Sequence, residues 1–224
     1  MEDHEAALAD YNKAIELDPE HNEPYRNRGI LYYVMGDYEA ALADYNKAIE
    51  LDPEDSYPYT NRGVLYYDQG NYEAALADLN QALELDPSYS YAALKRGILL
   101  LAMAKMDSAQ ADFEQAAAND PENSETMNEI CWWLGLYRQA ELALPYCNLA
   151  VELDDTPWIR DSRGLVNALL GNYAEAITDF EVFVTWAEEE GYLDWSLKRS
   201  DWIEALRNNI NPFTDEVLEA LKHE

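Results

Sequence analysis

Apolar and small residues recur along the chain at the spacing of amphipathic helices. In residues 22–53, Tyr25 and Gly29 fall on one face of a predicted helix, since positions four apart lie above one another on a helix. Gly36 marks a short turn. A second apolar face follows and stops at Pro53, because proline lacks the N–H group that a continuing helix needs. The segment is therefore predicted to be a helical hairpin.

The same hairpin pattern returns with a fixed period. Its closing prolines stand 34 residues apart, at Pro19, Pro53, Pro87 and Pro121. A period of this length is typical of solenoids, in which each repeat buries its apolar face against its neighbours. We therefore predict an all-α fold, an α-solenoid of antiparallel helix pairs.

The repeat resembles the tetratricopeptide repeat of the bacterial type, which has a large residue, a glycine, aromatic residues, alanines and a proline at set offsets. Three copies match it, at Tyr25, Gly29, Tyr32, Ala41, Tyr45, Ala48 and Pro53; at Tyr59, Gly63, Tyr66, Ala75, Leu79, Ala82 and Pro87; and at Ala93, Gly97, Leu100, Ala109, Phe113, Ala116 and Pro121. The fourth copy drifts and has Asp155 where the proline is expected, and the fifth is one residue short. The resemblance covers roughly residues 1–184 and implies a right-handed superhelix.

The repeat pattern predicts one array over residues 1–187, followed by C-terminal capping helices over residues 188–224. The array divides into a half repeat and five repeats, at residues 1–19, 22–53, 56–87, 90–121, 124–155 and 157–187. The half repeat lacks its first helix, so two interpretations stay open. Either the chain is part of a longer array, or another molecule, which includes a second copy of the chain, covers this edge.

The 34-residue period stops after the fifth repeat. Residues 193–208 are predicted to form a helix, and Thr214 is expected to cap a last short helix. We predict that these helices cap the end of the array. The alternative is a tail that folds into the protein's own groove and regulates it.

Arginine and aspartate recur together, sixteen residues apart, in four of the five full repeats. The pairs are Arg28 with Asp44, Arg62 with Asp78, Arg96 with Asp112, and Arg163 with Asp179. In the fourth repeat both members are absent, and Ile130 and Tyr146 stand in their places. Loss of one member alone would leave a desolvated charge, whereas an apolar pair is tolerable. We therefore predict a structural ion pair across each hairpin.

The net charge of the chain limits the classes of partner that it can bind. Its 45 acidic and 15 basic residues give a formal net charge of −30, which disfavours nucleic acid and anionic membrane surfaces and favours neutral or basic peptides. No run of 18 apolar residues and no signal-peptide pattern occurs, so a cytoplasmic location is the default expectation.

Cys131 and Cys147 are predicted to be unpaired core fillers in a reducing compartment, although a disulfide between them is geometrically conceivable.

The sequence contains no motif that carries catalytic chemistry. His4, His21 and His223 are scattered and have no second ligand at metal spacing. No glycine-rich phosphate loop is present, and no pair of carboxylates is set apart from its surroundings. We therefore predict no enzymatic activity, no cofactor and no metal.

The resemblance places partner-facing residues on the first helix of each repeat. Those positions hold Arg26, Asn27, Ile30, Tyr33, Tyr57, Asn61, Tyr67, Tyr91, Lys95, Leu101 and Trp132. Tyrosine and tryptophan offer a large, rigid contact area with a polar tip, as recognition surfaces do. We predict that these residues line a concave groove for an extended peptide or a partner helix.

One branch of the resembling family clamps the carboxylate end of an acidic tail with five polar groups. Arg26, Asn61 and Lys95 match that set, whereas Ile30 and Tyr91 do not. The acidic field of the chain also disfavours an anionic partner. Binding of a neutral or basic segment is the preferred hypothesis.

These observations predict a noncatalytic protein–protein interaction scaffold, an adaptor that binds a peptide or partner helix. One alternative is a self-assembling structural module, a homo-oligomer that stacks through its open N-terminal helix. Another is the recognition domain of a larger enzyme.

Overall fold

The structure, a computed structural model, describes residues 2–223 of the chain, with side chains from His4 onward. Within these residues it is built from α-helices alone, which confirms the all-α prediction. The helices are α1 (Glu2–Leu17), α2 (Asn22–Val34), α3 (Tyr38–Leu51), α4 (Ser56–Asp68), α5 (Tyr72–Leu85), α6 (Ser90–Ala102), α7 (Met106–Asn119), α8 (Ser124–Leu136), α9 (Ala140–Leu153), α10 (Pro157–Leu170), α11 (Tyr173–Glu190), α12 (Leu193–Arg207) and α13 (Asp215–Leu221).

The chain divides into two compact units. The first ends at Asn119 and contains α1 to α7; the second begins at Asp120 and contains α8 to α13. In both units consecutive helices pack as hairpins, α2 with α3, α4 with α5 and α6 with α7 in the first, α8 with α9 and α10 with α11 in the second. Within a unit each hairpin packs on the next, as the predicted α-solenoid requires. The second unit holds both the last two predicted repeats and the predicted capping helices.

Each hairpin turn places one residue in the left-handed region of the backbone. These residues are Gly36, Gly70, Ala104, Arg138 and Gly171, and they follow the period of the repeat. Glycine adopts this conformation without a steric penalty. Ala104 and Arg138, at φ of 56° and 57°, adopt it against a cost of about 1–2 kcal/mol.

The two helices of a hairpin approach closely where a glycine faces a large side chain that follows it sixteen residues later. A Cβ atom at Gly29 would lie 2.7 Å from the ring of Tyr45, and one at Gly97 would lie 2.6 Å from the ring of Phe113. Tyr45 and Phe113 are almost completely buried. Glycine at these positions therefore lets the two helices approach closely.

The predicted ion pairs form in all four hairpins that carry them. Arg62 donates to both carboxylate oxygens of Asp78, from Nε at 2.7 Å and from Nη2 at 2.8 Å. The pairs of Arg28, Arg96 and Arg163 have the same bidentate geometry. The prediction across each hairpin is confirmed.

The arginines of the first unit also reach the preceding helix. Nη1 of Arg62 donates to Asn46 on α3, while its other nitrogens bind Asp78 on α5. Arg28 and Arg96 bind an asparagine in the same way. One guanidinium thus joins three helices. The asparagines that accept these bonds, Asn12, Asn46 and Asn80, recur at the 34-residue period and were a sequence signal for this contact.

The fourth hairpin contains a disulfide where the others have glycine and a large side chain. Cys131 and Cys147 are bonded, with Cα atoms 4.9 Å apart, and both are fully buried. The prediction of unpaired core fillers is therefore wrong. The physical reason is that the two cysteines occupy the positions of Gly29 and Tyr45, where the helices approach most closely.

The C-terminal segment, by which we mean residues 208–223 after α12, folds onto α8 and α10, the first helices of the last two repeats. The predicted helix over 193–208 is α12, and the Thr214 hydroxyl accepts the Val217 N–H, as expected of a cap. The buried side chains of Phe213, Leu218 and Leu221 pack in one apolar cluster with residues of α8, α10, α11 and α12. Hydrogen bonds also hold the segment. Arg138 donates to the Asp215 carboxylate and to the Phe213 carbonyl, and the Asn211 amide donates to the Ala168 carbonyl.

Candidate protein-binding site

In the first unit, five of the described side chains form a continuous row that we call the tyrosine ladder: Arg26, Tyr57, Tyr89, Tyr91 and Lys95. The guanidinium carbon of Arg26 lies 4.9 Å from the centre of the Tyr57 ring. Ring centres are 4.8 Å apart from Tyr57 to Tyr89 and 6.1 Å apart from Tyr89 to Tyr91. Lys95 Nζ lies 4.9 Å from the Tyr91 ring. The structure therefore brings together four of the predicted site residues.

The repeat period explains most of this row. Tyr57 and Tyr91 are one repeat apart, at the starts of α4 and α6. Tyr89 links these two rings. It could not be found from the repeat pattern, because it precedes α6 and because the equivalent position of the preceding repeat holds Asp55 instead of an aromatic residue. Burial raises the pKa of Tyr89, because the ionised phenolate would lose its hydration.

Arg26 is already engaged within the protein. Its Nη1 donates to Asp55 at 3.1 Å, and Asn22 donates to the same carboxylate oxygen. The side chains of Arg26 and Asp55 are 20% and 11% exposed. A carboxylate ligand would have to displace Asp55, so the geometry does not favour the carboxylate clamp.

Tyr33 and Tyr67 contact the second helix of their own hairpins. Their ring centres lie 5.8 Å from Tyr38 and 5.7 Å from Tyr72 respectively. The Tyr33 hydroxyl also donates to Asp68 of the next repeat. Burial raises the pKa of Tyr33, and the hydrogen bond to Asp68 raises it further by a smaller amount. Both tyrosines therefore support the fold, whatever they contact in a partner.

The other predicted residues of the first unit differ in accessibility. Ile30 is exposed, and Asn27 and Asn61 are half-buried. Leu101 is only 2% exposed, so it is a core residue and not part of an accessible surface. Its aliphatic side chain has no polar group that would hold it at the surface.

In the second unit, side chains of α8, α10, α11 and α12 surround a cleft of about 690 Å³ that we call the tryptophan cleft. Its lining residues are Asn128, Glu129, Trp132, Trp158, Asp161, Ser162, Phe183, Asp194, Trp195, Lys198 and Arg199. Three of the six tryptophans in the chain line it, and Trp132 is the predicted site residue among them. Large apolar clefts with a few polar groups are the usual sites for ligands.

A row of aromatic rings connects Trp158 and Trp195, which line the cleft, through two rings outside its lining. Trp158 contacts Trp186 edge to face at 5.6 Å, Trp186 lies 5.4 Å from Tyr192, and Tyr192 stacks on Trp195 at 4.9 Å. The mutual packing fixes these rings, while Trp158 and Trp195 remain 50% and 51% exposed. Exposed aromatic surface that is held by neighbouring rings loses less entropy when a partner binds.

A buried ion pair joins α12 to α10 beside this wall. Arg199 donates to Asp161 from Nε at 3.1 Å and from Nη2 at 2.7 Å, and both side chains are less than a tenth exposed. The guanidinium also lies over two rings, 4.9 Å from Phe183 and 4.7 Å from Trp202. Loss of either charge would leave the other desolvated, so the pair fixes α12 against the repeats.

Helices α8 and α10 contribute residues both to the cleft and to the apolar cluster around the C-terminal segment. On α8, Asn128 and Trp132 line the cleft, whereas Leu136 belongs to the cluster that packs around the segment. On α10, Trp158 lines the cleft and Leu165 is buried in that cluster. The segment therefore packs against the carboxyl-terminal half of this face, whereas the residues that line the cleft lie toward its amino-terminal half.

Two kinds of feature are absent from the part of the chain that the structure describes. Residues 2–223 contain no group of three or more potential metal ligands of the His, Cys, Asp and Glu type. Over the same residues, no helix combines the length and the apolar character that a membrane span needs.

Comparison with known proteins agrees with the hairpin architecture. Models of the tetratricopeptide repeat family match residues 1–57 and 56–89. Residues 1–89 of the chain belong to the tetratricopeptide repeat family. Proteins of this family are generally noncatalytic scaffolds for protein–protein interaction. Among curated proteins no match to the chain is found.

Solved structures of repeat proteins share the fold at low sequence identity. The Cut9–Hcn1 hetero-tetramer of APC/C is 16% identical with a TM-score of 0.75 over 92% of this chain, which spans 40% of that chain. YrrB, described as a tetratricopeptide repeat protein with an unusual peptide-binding site, is 21% identical with a TM-score of 0.57 over 85% of this chain and 97% of its own. A tetratricopeptide repeat protein of Parabacteroides merdae is 18% identical with a TM-score of 0.63, over 98% and 91% of the two chains.

Proposed function

We propose that this repeat protein is a noncatalytic adaptor that binds a peptide segment of a partner protein in the tryptophan cleft. The observation that carries the proposal is the cleft itself, in which Trp158 and Trp195 are half exposed on a fixed aromatic wall. Tryptophan is enriched among the residues that dominate binding energy, because it combines large apolar area with few rotatable bonds.

The dimensions of the cleft suit a short extended segment. A volume of about 690 Å³ falls within the range of sites that bury most of a drug-sized ligand, which a few residues of peptide match in size. The peptide-binding site ascribed to YrrB supports peptide binding as a function that this fold can perform. The tyrosine ladder, where predicted site residues also meet, is the corresponding candidate surface in the first unit.

Selection from a random peptide library on the immobilised protein tests the proposal. We expect selected peptides to bind the native protein and to lose most of their affinity when Trp158→Ala and Trp195→Ala are combined, because the exposed aromatic area of the cleft is removed. Leu197→Ala is the matched control, since Leu197 lies on α12, is 64% exposed and does not line the cleft.

Circular dichroism checks that the variants keep their helical content. Failure of the library to yield any peptide that depends on the two tryptophans would contradict the proposal. Self-association through the open edge of α1 and a cytoplasmic location stay predictions. Light scattering over a range of protein concentrations decides the first, and a strictly monomeric chain contradicts it.

A further inference from the structure

We infer that the tryptophan cleft selects partner segments that carry a lysine or arginine side chain. This inference rests on the proposed function and specifies the chemistry that the site recognises. It depends on the charges that line the cleft, on the way in which the protein places its own arginine there, and on an acceptor in the wall that lacks a donor.

The described lining of the cleft has an excess of negative charge. It contains the carboxylates of Glu129, Asp161 and Asp194 and the cations of Lys198 and Arg199. Asp161 and Arg199 are paired with one another at 2.7 Å, so they neutralise each other. Counted together, the lining has three carboxylates and two cations, and this excess of one negative charge favours a cation. The net charge of −30 on the chain adds an attractive field for basic segments.

One ring that lines the cleft, Phe183, and one buried ring behind it, Trp202, already bind a guanidinium within the protein. Arg199 lies over the rings of Phe183 and Trp202, and Lys198 Nζ lies 5.7 Å from the Trp202 ring. A cation over the face of an aromatic ring is attracted by the ring quadrupole, and tryptophan gives the strongest attraction. Trp158 and Trp195, which are half exposed, can offer the same contact to a side chain from outside.

A polar group in the wall suits a ligand that donates hydrogen bonds. Asn128 lines the cleft, and its Oδ1 is shielded from solvent and has no hydrogen-bond partner among the described residues. A buried acceptor without a donor is unfavourable. If the amide turned toward the cleft, the N–H groups of a lysine, an arginine or the peptide backbone would satisfy this oxygen.

Other classes of segment fit the cleft less well. An acidic segment would meet carboxylates in a strongly negative field. A wholly apolar segment would cover the Asp194 carboxylate without offering it a partner, which costs free energy because the charge loses its hydration. A segment with one cation among small or apolar residues suits both the exposed aromatic rings and the exposed Asp194 carboxylate.

Peptide pools with one fixed central residue test the inference. The probes are acetylated and amidated octapeptides with arginine, lysine, glutamine or glutamate at the centre and uncharged residues elsewhere. Tryptophan fluorescence and calorimetry report binding to the native protein. We expect the arginine and lysine pools to bind about tenfold more tightly than the glutamine pool, and the glutamate pool to bind most weakly.

Substitution of single carboxylates locates the effect. Asp194→Asn should reduce the preference for arginine over glutamine about threefold or more, because it removes a charge that lines the cleft. Asp201→Asn is the matched control, because Asp201 lies on the same helix, is exposed and does not line the cleft. This control should leave the preference unchanged.

The outcomes separate the inference from the proposed function. Equal binding of the glutamine and arginine pools, both lost in the Trp158→Ala and Trp195→Ala variant, overturns the inference and leaves the adaptor function standing. An equal effect of Asp194→Asn and Asp201→Asn also overturns it, since the field of the whole chain would then be responsible. Absence of binding by every pool and every library peptide removes the proposed function itself.

Discussion

The stability of the hairpins should depend strongly on the guanidinium that joins three helices. Arg62→Ala removes two charge-assisted hydrogen bonds to Asp78, and the side chains of the pair are only 18% and 10% exposed. It also removes the bond to Asn46 and the contacts of the guanidinium with the rings of Tyr59 and Tyr66. The Asp78 carboxylate would stay desolvated without its guanidinium.

The size of the effect follows from this geometry. Breaking a fully buried ion pair costs about 3–5 kcal/mol. Since both side chains of the Arg62–Asp78 pair keep some contact with water, we expect Arg62→Ala to lower the free energy of unfolding by about 2–3 kcal/mol. Urea unfolding followed by far-ultraviolet circular dichroism measures this quantity.

The fourth hairpin supplies the internal test, because it folds with Ile130 and Tyr146 in place of the charged pair. Arg62→Ala combined with Asp78→Ala should therefore lose less than the sum of the two single variants, by at least about 1 kcal/mol. Lys13→Ala is the control for a surface pair, since Lys13 and Glu16 are 60% and 70% exposed, and it should leave the stability unchanged within error. Additive single effects, or an Arg62→Ala result equal to the control, would refute the reasoning.

Three further predictions concern other parts of the structure. Ala104→Gly should raise the free energy of unfolding by roughly 0.5 kcal/mol, because it relieves the left-handed turn residue, whereas the control Ala111→Gly on the exposed face of α7 should lower it by about 1 kcal/mol. The raised pKa of Tyr33 means that the unfolded chain loses its phenolic proton at lower pH than the folded one, so stability should fall above about pH 10. Tyr33→Phe should make this loss above about pH 10 shallower in urea titrations, and an unchanged slope would contradict this. Thiol assay of the non-reduced protein should detect no free Cys131 or Cys147, and a reductant should lower the free energy of unfolding by about 2–4 kcal/mol; two reactive thiols would contradict the pairing.

The hairpins could be predicted from the sequence because the same physical requirement returns in every repeat. Gly29 and Tyr45 must fit together wherever two helices approach closely, so the repeat pattern exposes them. The ion pairs could be inferred because Ile130 and Tyr146 replace both partners at once. In a periodic sequence, equivalent positions of successive repeats can be compared with one another.

The cleft could not be predicted in this way, because α12 lies outside the repeats. Trp195 and Arg199 have no counterpart one period earlier, and the Arg199 contact to Asp161 spans 38 residues without a second copy. The disulfide was missed for a different reason, since the oxidation state of two apposed cysteines depends on the compartment as well as on the fold. A disulfide in the isolated protein would indicate an oxidising compartment and would oppose the expected cytoplasmic location.

Nuclear magnetic resonance of the tryptophan indole N–H groups tests the central claim most directly. Signals assigned by single tryptophan substitutions are followed as a library-selected peptide that contains arginine is added. The account predicts that the signals of Trp132, Trp158 and Trp195 shift and saturate together, because all three line one cleft. Saturable binding that leaves these three signals unchanged would contradict it.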